Sequence, residues 1–396
     1  MNLMVKLLAT GTAIAALTAA GCSRPAAPSS PSGSGTTPTA TATPSATPAP
    51  PRPYAVVLTN AQRTGTTYDI LLVDLAGQIV ARATAELPTQ KVGELGLEIP
   101  LISASDTAVY YLDGNTDIRS LSPSGTTADV MSIPGGATAE LIFAVSPDDQ
   151  RIAVAELTER SDPSKDSSKA YVEDLGSGSN RVWLWKANLG ASATRGPIGW
   201  HGSSLIDAIY PNNQCPTTQC PLSAPLSAIT YGSGYHVFDP VTGNVSARVC
   251  DESKTYPYWF GPVGLPTAYG TACDKLQGES VRLTVVGWSG AEHLFLQDAR
   301  QAVGSTLSPD GTRIACLGGP SGLAIVTSDG TLTDVDLSTT TTEGVIPWGW
   351  IDPTHLLAYL DKSDAAVIDP DSAAVTKVPL PNAEDAFMAA SLPGVL

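Results

Sequence analysis

An all-β architecture, built from one four-stranded antiparallel unit used seven times, is predicted by three features of the 396-residue sequence. Apolar and polar residues alternate in short runs, Asp-Gly and Pro-containing turns separate the runs, and the combined pattern recurs along the chain. The clearest unit is TLSPDGTRIACLGGPSGLAIVTSDGTLTDVDL, Thr306 to Leu337. Pro309 presets φ for the first central position of a β-turn, Asp310 caps the turn with its side chain, and Gly311 tolerates a positive φ. The flanking runs GSTLS and RIACL alternate as strands do, and GLAIVTSDGTLTDVDL reads as two more strands joined at Ser328-Asp329-Gly330. Four strands in roughly forty residues cannot bury both faces of their own sheet, so the unit needs neighbours of its own kind.

Hairpins like the second half of that unit recur as ILLVDLAGQIVARA, IRSLSPSGTTADVM, VWLWKANLGASATR, YHVFDPVTGNVSAR, LTVVGWSGAEHLFL and AAVIDPDSAAVTKV. Their turn residues, Gly77, Gly125, Gly190, Gly243, Gly290, Gly330 and Ser372, lie 40 to 65 residues apart, around the period of propeller blades. The other hairpin of the unit recurs as FAVSPDDQRIAVAEL, PIGWHGSSLIDAIY and WGWIDPTHLLAYL. GWSG at Gly287 stands only about twenty residues before Ser308, too close for a whole blade, and is assigned to a turn between third and fourth strands. A β-sandwich spaces its turns similarly but seldom repeats one pattern seven times, so the array reads as a seven-bladed β-propeller. Its first unit starts abruptly at YAVVLTN, from Tyr54, a second strand with no first strand before it. AFMAASLPG, Ala386 to Gly394, is left over at the other end. The C-terminal strand is therefore expected to pair into the first blade and close the ring, leaving no raw edge.

FAVSPDDQRIAVAEL and TLSPDGTRIACLGG resemble the SPDG-type motif of TolB-type and related WD-like bacterial propellers. The resemblance covers the chain from Tyr54 onward by pattern but two blades by motif, and YYLDG and the Gly-Trp blades depart from it. It implies a binding scaffold more often than an enzyme.

Ahead of the propeller region (54–396) stand two segments of other character. Residues 1–21 carry one cation, Lys6, then the apolar run LLATGTAIAALTAAG and small residues before Cys22, the layout of a bacterial lipoprotein signal peptide with lipid attached at Cys22. Ala19 stands where Leu is more usual, and a non-lipidated signal or an uncleaved anchor are the alternatives. Residues 22–53 are rich in Ser, Thr, Ala and Pro without bulky apolar residues, a flexible tether that cannot form a core. Together they predict an extracytoplasmic protein held on the cell membrane through the lipid alone.

Composition narrows the partners. With 42% hydrophobic and 15% charged residues the chain is globular, and a formal charge of -16 makes nucleic acid and anionic lipid surfaces poor partners. A monomer is expected. Of six cysteines, Cys215 and Cys220 flank a short loop that can close as a ring. Cys250 and Cys273 flank a long connection and can form a second disulfide, as an oxidising compartment favours. Cys316, in RIACL, reads as a buried apolar residue. Only one short Cys pair exists, so no structural zinc site is expected, and no cofactor is implied. His201, His236, His293 and His355 are scattered and stand in no metal or nucleophile motif, and there is no Gly-x-Ser-x-Gly elbow.

The longest irregular stretches are TERSDPSKDSSKAYVEDLGSGSN, YPNNQCPTTQCPLSAPLSAITYGSG and DESKTYPYWFGPVG. All are connections between second and third strands or between blades, which emerge on one face, where binding sites are usually built. On that face Tyr256, Tyr258, Trp259 and Phe260 stand beside Asp251 and Glu252, an aromatic and acidic group suited to contact with an envelope protein, peptide or glycan. Two readings of these aromatics are open: an exposed binding patch, or a plug between the fourth and fifth blades. The whole then reads as a binding or assembly scaffold. The alternatives are an envelope enzyme, a glycan- or peptide-processing lyase or cyclase assembled from separate blades, and a purely structural accessory domain.

Overall fold

The computed structural model describes residues 52–61, 65–89, 101–158, 167–188, 193–211, 230–232, 234–249, 256–258, 264–267, 282–297, 303–317, 322–337, 345–361, 364–381 and 386–394. The chain divides into two units, Met1–Ala49, which lies outside the described residues, and Pro50–Leu396. Among the described residues there is no α-helix, and one 3-10 turn occurs at Pro134–Ala137.

In chain order the strands are β1 (Tyr54–Thr59), β2 (Thr67–Val73) and β3 (Ile79–Glu86); β4 (Ile102–Ala104), β5 (Val109–Asp113), β6 (Asp117–Leu121) and β7 (Thr127–Ser132); β8 (Glu140–Val145), β9 (Arg151–Thr158), β10 (Ser167–Asp174) and β11 (Val182–Asn188). They continue with β12 (Ala193–His201), β13 (Ser204–Pro211), β14 (Thr230–Gly232), β15 (Gly234–Phe238), β16 (Val245–Val249) and β17 (Tyr256–Tyr258); β18 (Gly264–Thr267), β19 (Leu283–Gly287) and β20 (Glu292–Leu296). The last are β21 (Val303–Leu307), β22 (Arg313–Leu317), β23 (Leu323–Thr327) and β24 (Leu332–Asp334); β25 (Ile346–Trp350), β26 (Leu356–Asp361), β27 (Asp364–Asp369) and β28 (Ala374–Val378); and β29 (Phe387–Leu392).

Six four-stranded antiparallel sheets and one of three strands result, in the orders β29-β1-β2-β3, β4-β5-β6-β7, β8-β9-β10-β11, β12-β13-β15-β16, β18-β19-β20, β21-β22-β23-β24 and β25-β26-β27-β28. They are the first to seventh sheets below, and this is the meander of propeller blades. The first sheet takes its edge strand from the far end of the chain, with Tyr54 opposite Leu392 and Val57 opposite Met388.

Burial explains the strand sequences. In β2 and β8 nearly every residue is buried, because both faces of a sheet packed between two others are covered, whereas β3 alternates, with Ala81, Ala83 and Ala85 inward and Arg82, Thr84 and Glu86 outward. The apolar clusters lie between sheets. Val56, Ile70 and Leu72 of the first sheet meet Val109 and Tyr111 of the second, and Tyr110 and Leu112 meet Phe143 and Val154 of the third. The seventh sheet, through Trp348, Leu357 and Val367, meets Val57 and Leu71 of the first. At about 25 cal/mol per Å² of apolar area, these inter-sheet faces are the main source of stability.

Two sequence motifs have matching structural work. Ser146 Oγ accepts from Arg151 N–H at 2.9 Å and donates to Asp148 at 2.6 Å. Ser308 Oγ repeats this with Arg313 N–H at 3.0 Å and Asp310 at 2.6 Å. In the Gly-Trp strands, the buried indole N–H of Trp200 donates to Ala144 O of the preceding sheet at 3.1 Å. Trp350 donates likewise to Thr306 O at 3.0 Å.

Three expectations are corrected. VWLWKANLGASATR is not a hairpin: its two arms, β11 and β12, belong to different sheets, and Gly190 itself lies outside the described residues. Both arms are strands, but the turn is upstream, where Gly176 (φ 80°) and Gly178 (φ 65°) take the left-handed conformation and Asn180 donates to Asp174. TERSDPSKDSSKAYVEDLGSGSN is not irregular throughout, since it contains β10, paired on both sides. The stretches around Thr230 and Tyr256 also contain strands, β14 and β17. By contrast, GWSG joins β19 to β20 as expected.

Candidate functional site

A meander has two unlike ends. At one end, first-to-second and third-to-fourth strand turns are tight and closed by their own side chains. Asp239 is held below the usual carboxylate range by the Val241 N–H and the Thr242 hydroxyl. Asp329 is held there by Thr327 and the Thr331 N–H, and Asp369 by Ser372 and the Asp371 N–H. These carboxylates are hairpin chemistry, with their acceptors spent on local donors.

The other end carries second-to-third strand and sheet-to-sheet connections. There, in five of the sheets, a carboxylate meets a cation across neighbouring strands: Asp69 with Arg82, Asp113 with Arg119, Glu156 with Lys169, Asp207 with Arg195, and Asp364 with Lys377. The exposed pairs add little stability.

At the fourth sheet this end is elaborated. β14 pairs antiparallel with β17, placing Thr230 opposite Tyr258 and Gly232 opposite Tyr256. β14 leads through one residue into β15, and β17 lies in the connection that leaves β16. Two long connections are thus joined backbone to backbone in one ribbon. Tyr256 and Tyr258 occupy its strand, while Asp251, Glu252, Trp259 and Phe260 lie outside the described residues. So do Cys22, Cys215, Cys220, Cys250 and Cys273. Cys316 is a free thiol buried in β22, pushed up to about 12 by burial and by Asp334.

Within the fourth sheet is a polar cluster that the sequence reading did not single out. Asp207 on β13 stands directly opposite His236 on β15. Arg195, from β12, donates to Asp207 Oδ2 through Nε at 3.1 Å and Nη2 at 2.9 Å, and its Nη2 also reaches His236 Nδ1. Its guanidinium lies over the Trp185 ring of the third sheet, 4.7 Å from the centroid, and faces Phe238. A guanidinium has no acceptor, so His236 Nδ1 must be the unprotonated nitrogen. Asp207 is 0% exposed and its Oδ1 has no hydrogen-bond partner. Burial pushes its carboxyl up to about 7, against the pull of Arg195.

Among the described residues no group of three His, Cys, Asp or Glu side chains is placed to hold a metal ion, and no helix is long and apolar enough to cross a membrane. One sequence signal pointed here: Asp207 is a lone carboxylate inside the apolar strand SLIDAIY, and a buried charge needs a partner.

No family model matches the chain, and no curated protein matches it. Solved structures similar to it include an oligogalacturonate lyase in complex with manganese, at 13% identity over 80% of this chain and 84% of that one, TM-score 0.41. Apo AztD from Citrobacter koseri is 13% identical over 86% and 98%, TM-score 0.42. The β-propeller domain of the Trilobed protease from Pyrococcus furiosus, with an open velcro topology, is 12% identical over 80% and 81%, TM-score 0.38. At these values neither a site nor an activity passes from those proteins to this one.

Proposed function

We propose that the protein is an extracytoplasmic binding or assembly scaffold of the cell envelope, anchored by lipid at Cys22 and tethered through residues 22–53. In this reading the sheets are the blades of a seven-bladed propeller closed by β29. The apolar clusters between consecutive sheets, including the one between seventh and first, support a ring. The observation that carries the function is the β14–β17 ribbon, which gathers the two long connections of the fourth sheet at one end. Disulfides Cys215–Cys220 and Cys250–Cys273 would stiffen those connections. The aromatics Tyr256, Tyr258, Trp259 and Phe260, with Asp251 and Glu252, would then contact a protein, peptide or glycan.

A second reading, an envelope lyase or cyclase, draws on the convergence of Asp207, His236 and Arg195. Against it, Asp207 is 0% exposed and out of reach of a substrate.

Pull-down from an envelope extract with the full chain, wild type against Trp259→Ala, tests the scaffold. The expected result is loss of capture with an unchanged melting temperature. A Trp259→Ala protein that melts early yet still captures its partner would make that aromatic run packing and overturn the reading.

A further inference from the structure

We propose that Arg195, Asp207 and His236 form a proton-operated clamp between the third and fourth sheets, closed when the cluster lacks its extra proton and opened by proton uptake. In the closed state Arg195 is held by Asp207 Oδ2 and His236 Nδ1 while its guanidinium rests on Trp185 of the neighbouring sheet, so one side chain links the two sheets. Two of its anchors are titratable. A proton placed on His236 Nδ1 ends its role as acceptor and creates a donor opposite the unpartnered Oδ1 of Asp207. A proton placed on Asp207, which stays buried within the native fold, removes the charge that holds the guanidinium, so Arg195 is released without hydrating the carboxyl. In either place the Arg195–His236 bond or the Arg195–Asp207 ion pair is lost, with one proton taken from solvent and no other change in composition.

The surrounding charges leave this balance poised. Arg248 on β16 stands opposite His236 in register, and the cation that favours the ionised carboxylate is Arg195 itself. On the third sheet, Glu156 and Glu173 are engaged by Lys169 and Arg181, and Lys186 lies over Trp183. Burial of Asp207 opposes the cations. The midpoint belongs to the cluster as a whole. β15, which carries His236, follows β14 of the ribbon after one residue. The inference holds whatever the ribbon binds.

The test is NMR of the full chain labelled with ¹⁵N-histidine, with the four histidines assigned by single His→Gln variants, across pH 5 to 8. In parallel, amide exchange of β12 and β15 is read after correction for its intrinsic pH dependence. Expected is a His236 with unprotonated Nδ1 at the alkaline end. A one-proton transition should follow, with protection of β12 falling up to about tenfold per pH unit below the midpoint. Asp207→Asn should abolish or displace that transition, and if it fails to fold, Arg195→Gln should do the same. A His236 that carries its proton on Nδ1 at pH 8, or protection that is flat across the range, would overturn the clamp.

Discussion

Asp207 shows what one residue can decide. A carboxylate with no exposed surface and one unsatisfied oxygen costs free energy when ionised, even with Arg195 beside it. Its native affinity for a proton is raised, to about 7, above the unfolded value of about 3.9. The native state therefore binds the proton more tightly, and the stability this group contributes is complete below the unfolded pKa and lost as pH rises through 7. Asp207→Asn should remove that slope, which is at most about 1.4 kcal/mol per pH unit between those limits. Urea unfolding of both proteins from pH 4.5 to 8 measures it, and parallel curves would count against the assignment. Trp200→Phe should cost about 1–3 kcal/mol, because Ala144 O is left buried without its donor. The serine of each SPDG-type turn was legible because its partners lie two and five residues away. Arg195 and His236 were not, because they lie 12 and 29 positions from Asp207 and only strand register brings them together.

At the scale of elements, strands with a tight turn between them were readable, since alternation and turn residues are local. The misreading of Gly190 has a physical cause: β11 and β12 are both strands close together in sequence, and local strand character does not say which sheet a strand joins. The ribbon was hidden for a related reason, because β14 and β17 are three residues each and pair across a long gap in sequence. Turn glycines allow a graded test. At Gly125 (φ 82°) an added methyl group would meet nothing within 4 Å, whereas at Gly243 (φ 73°) it would lie 2.7 Å from Trp183 O. Gly125→Ala should cost about 1–2 kcal/mol, the left-handed penalty alone. Gly243→Ala should cost clearly more, because backbone of the adjacent sheet must also move. Equal losses in chemical denaturation would show that the turn of the fourth sheet does not abut β11.

For the whole molecule, the proposed ring makes the two ends of the propeller region interdependent. Deleting Ala386 to Leu396 removes Met388 and Leu392 from the clusters on either side of the first sheet and bares the edge of β1. The truncated protein should melt several degrees lower or aggregate, and an unchanged melting curve would argue that β29 closes nothing. Cys22→Ser should move the protein from the membrane fraction to the soluble or secreted one, whereas retention after a carbonate wash would exclude the lipid anchor. The most direct test of a scaffold that binds through its ribbon-bearing end compares photo-crosslinking residues placed at Tyr258, on the ribbon, and at Ser372, at the opposite end of the seventh sheet. Irradiated in the native envelope, the Tyr258 position should yield a discrete partner adduct and the Ser372 position none; adducts from Ser372 alone, or equally from both, would contradict it.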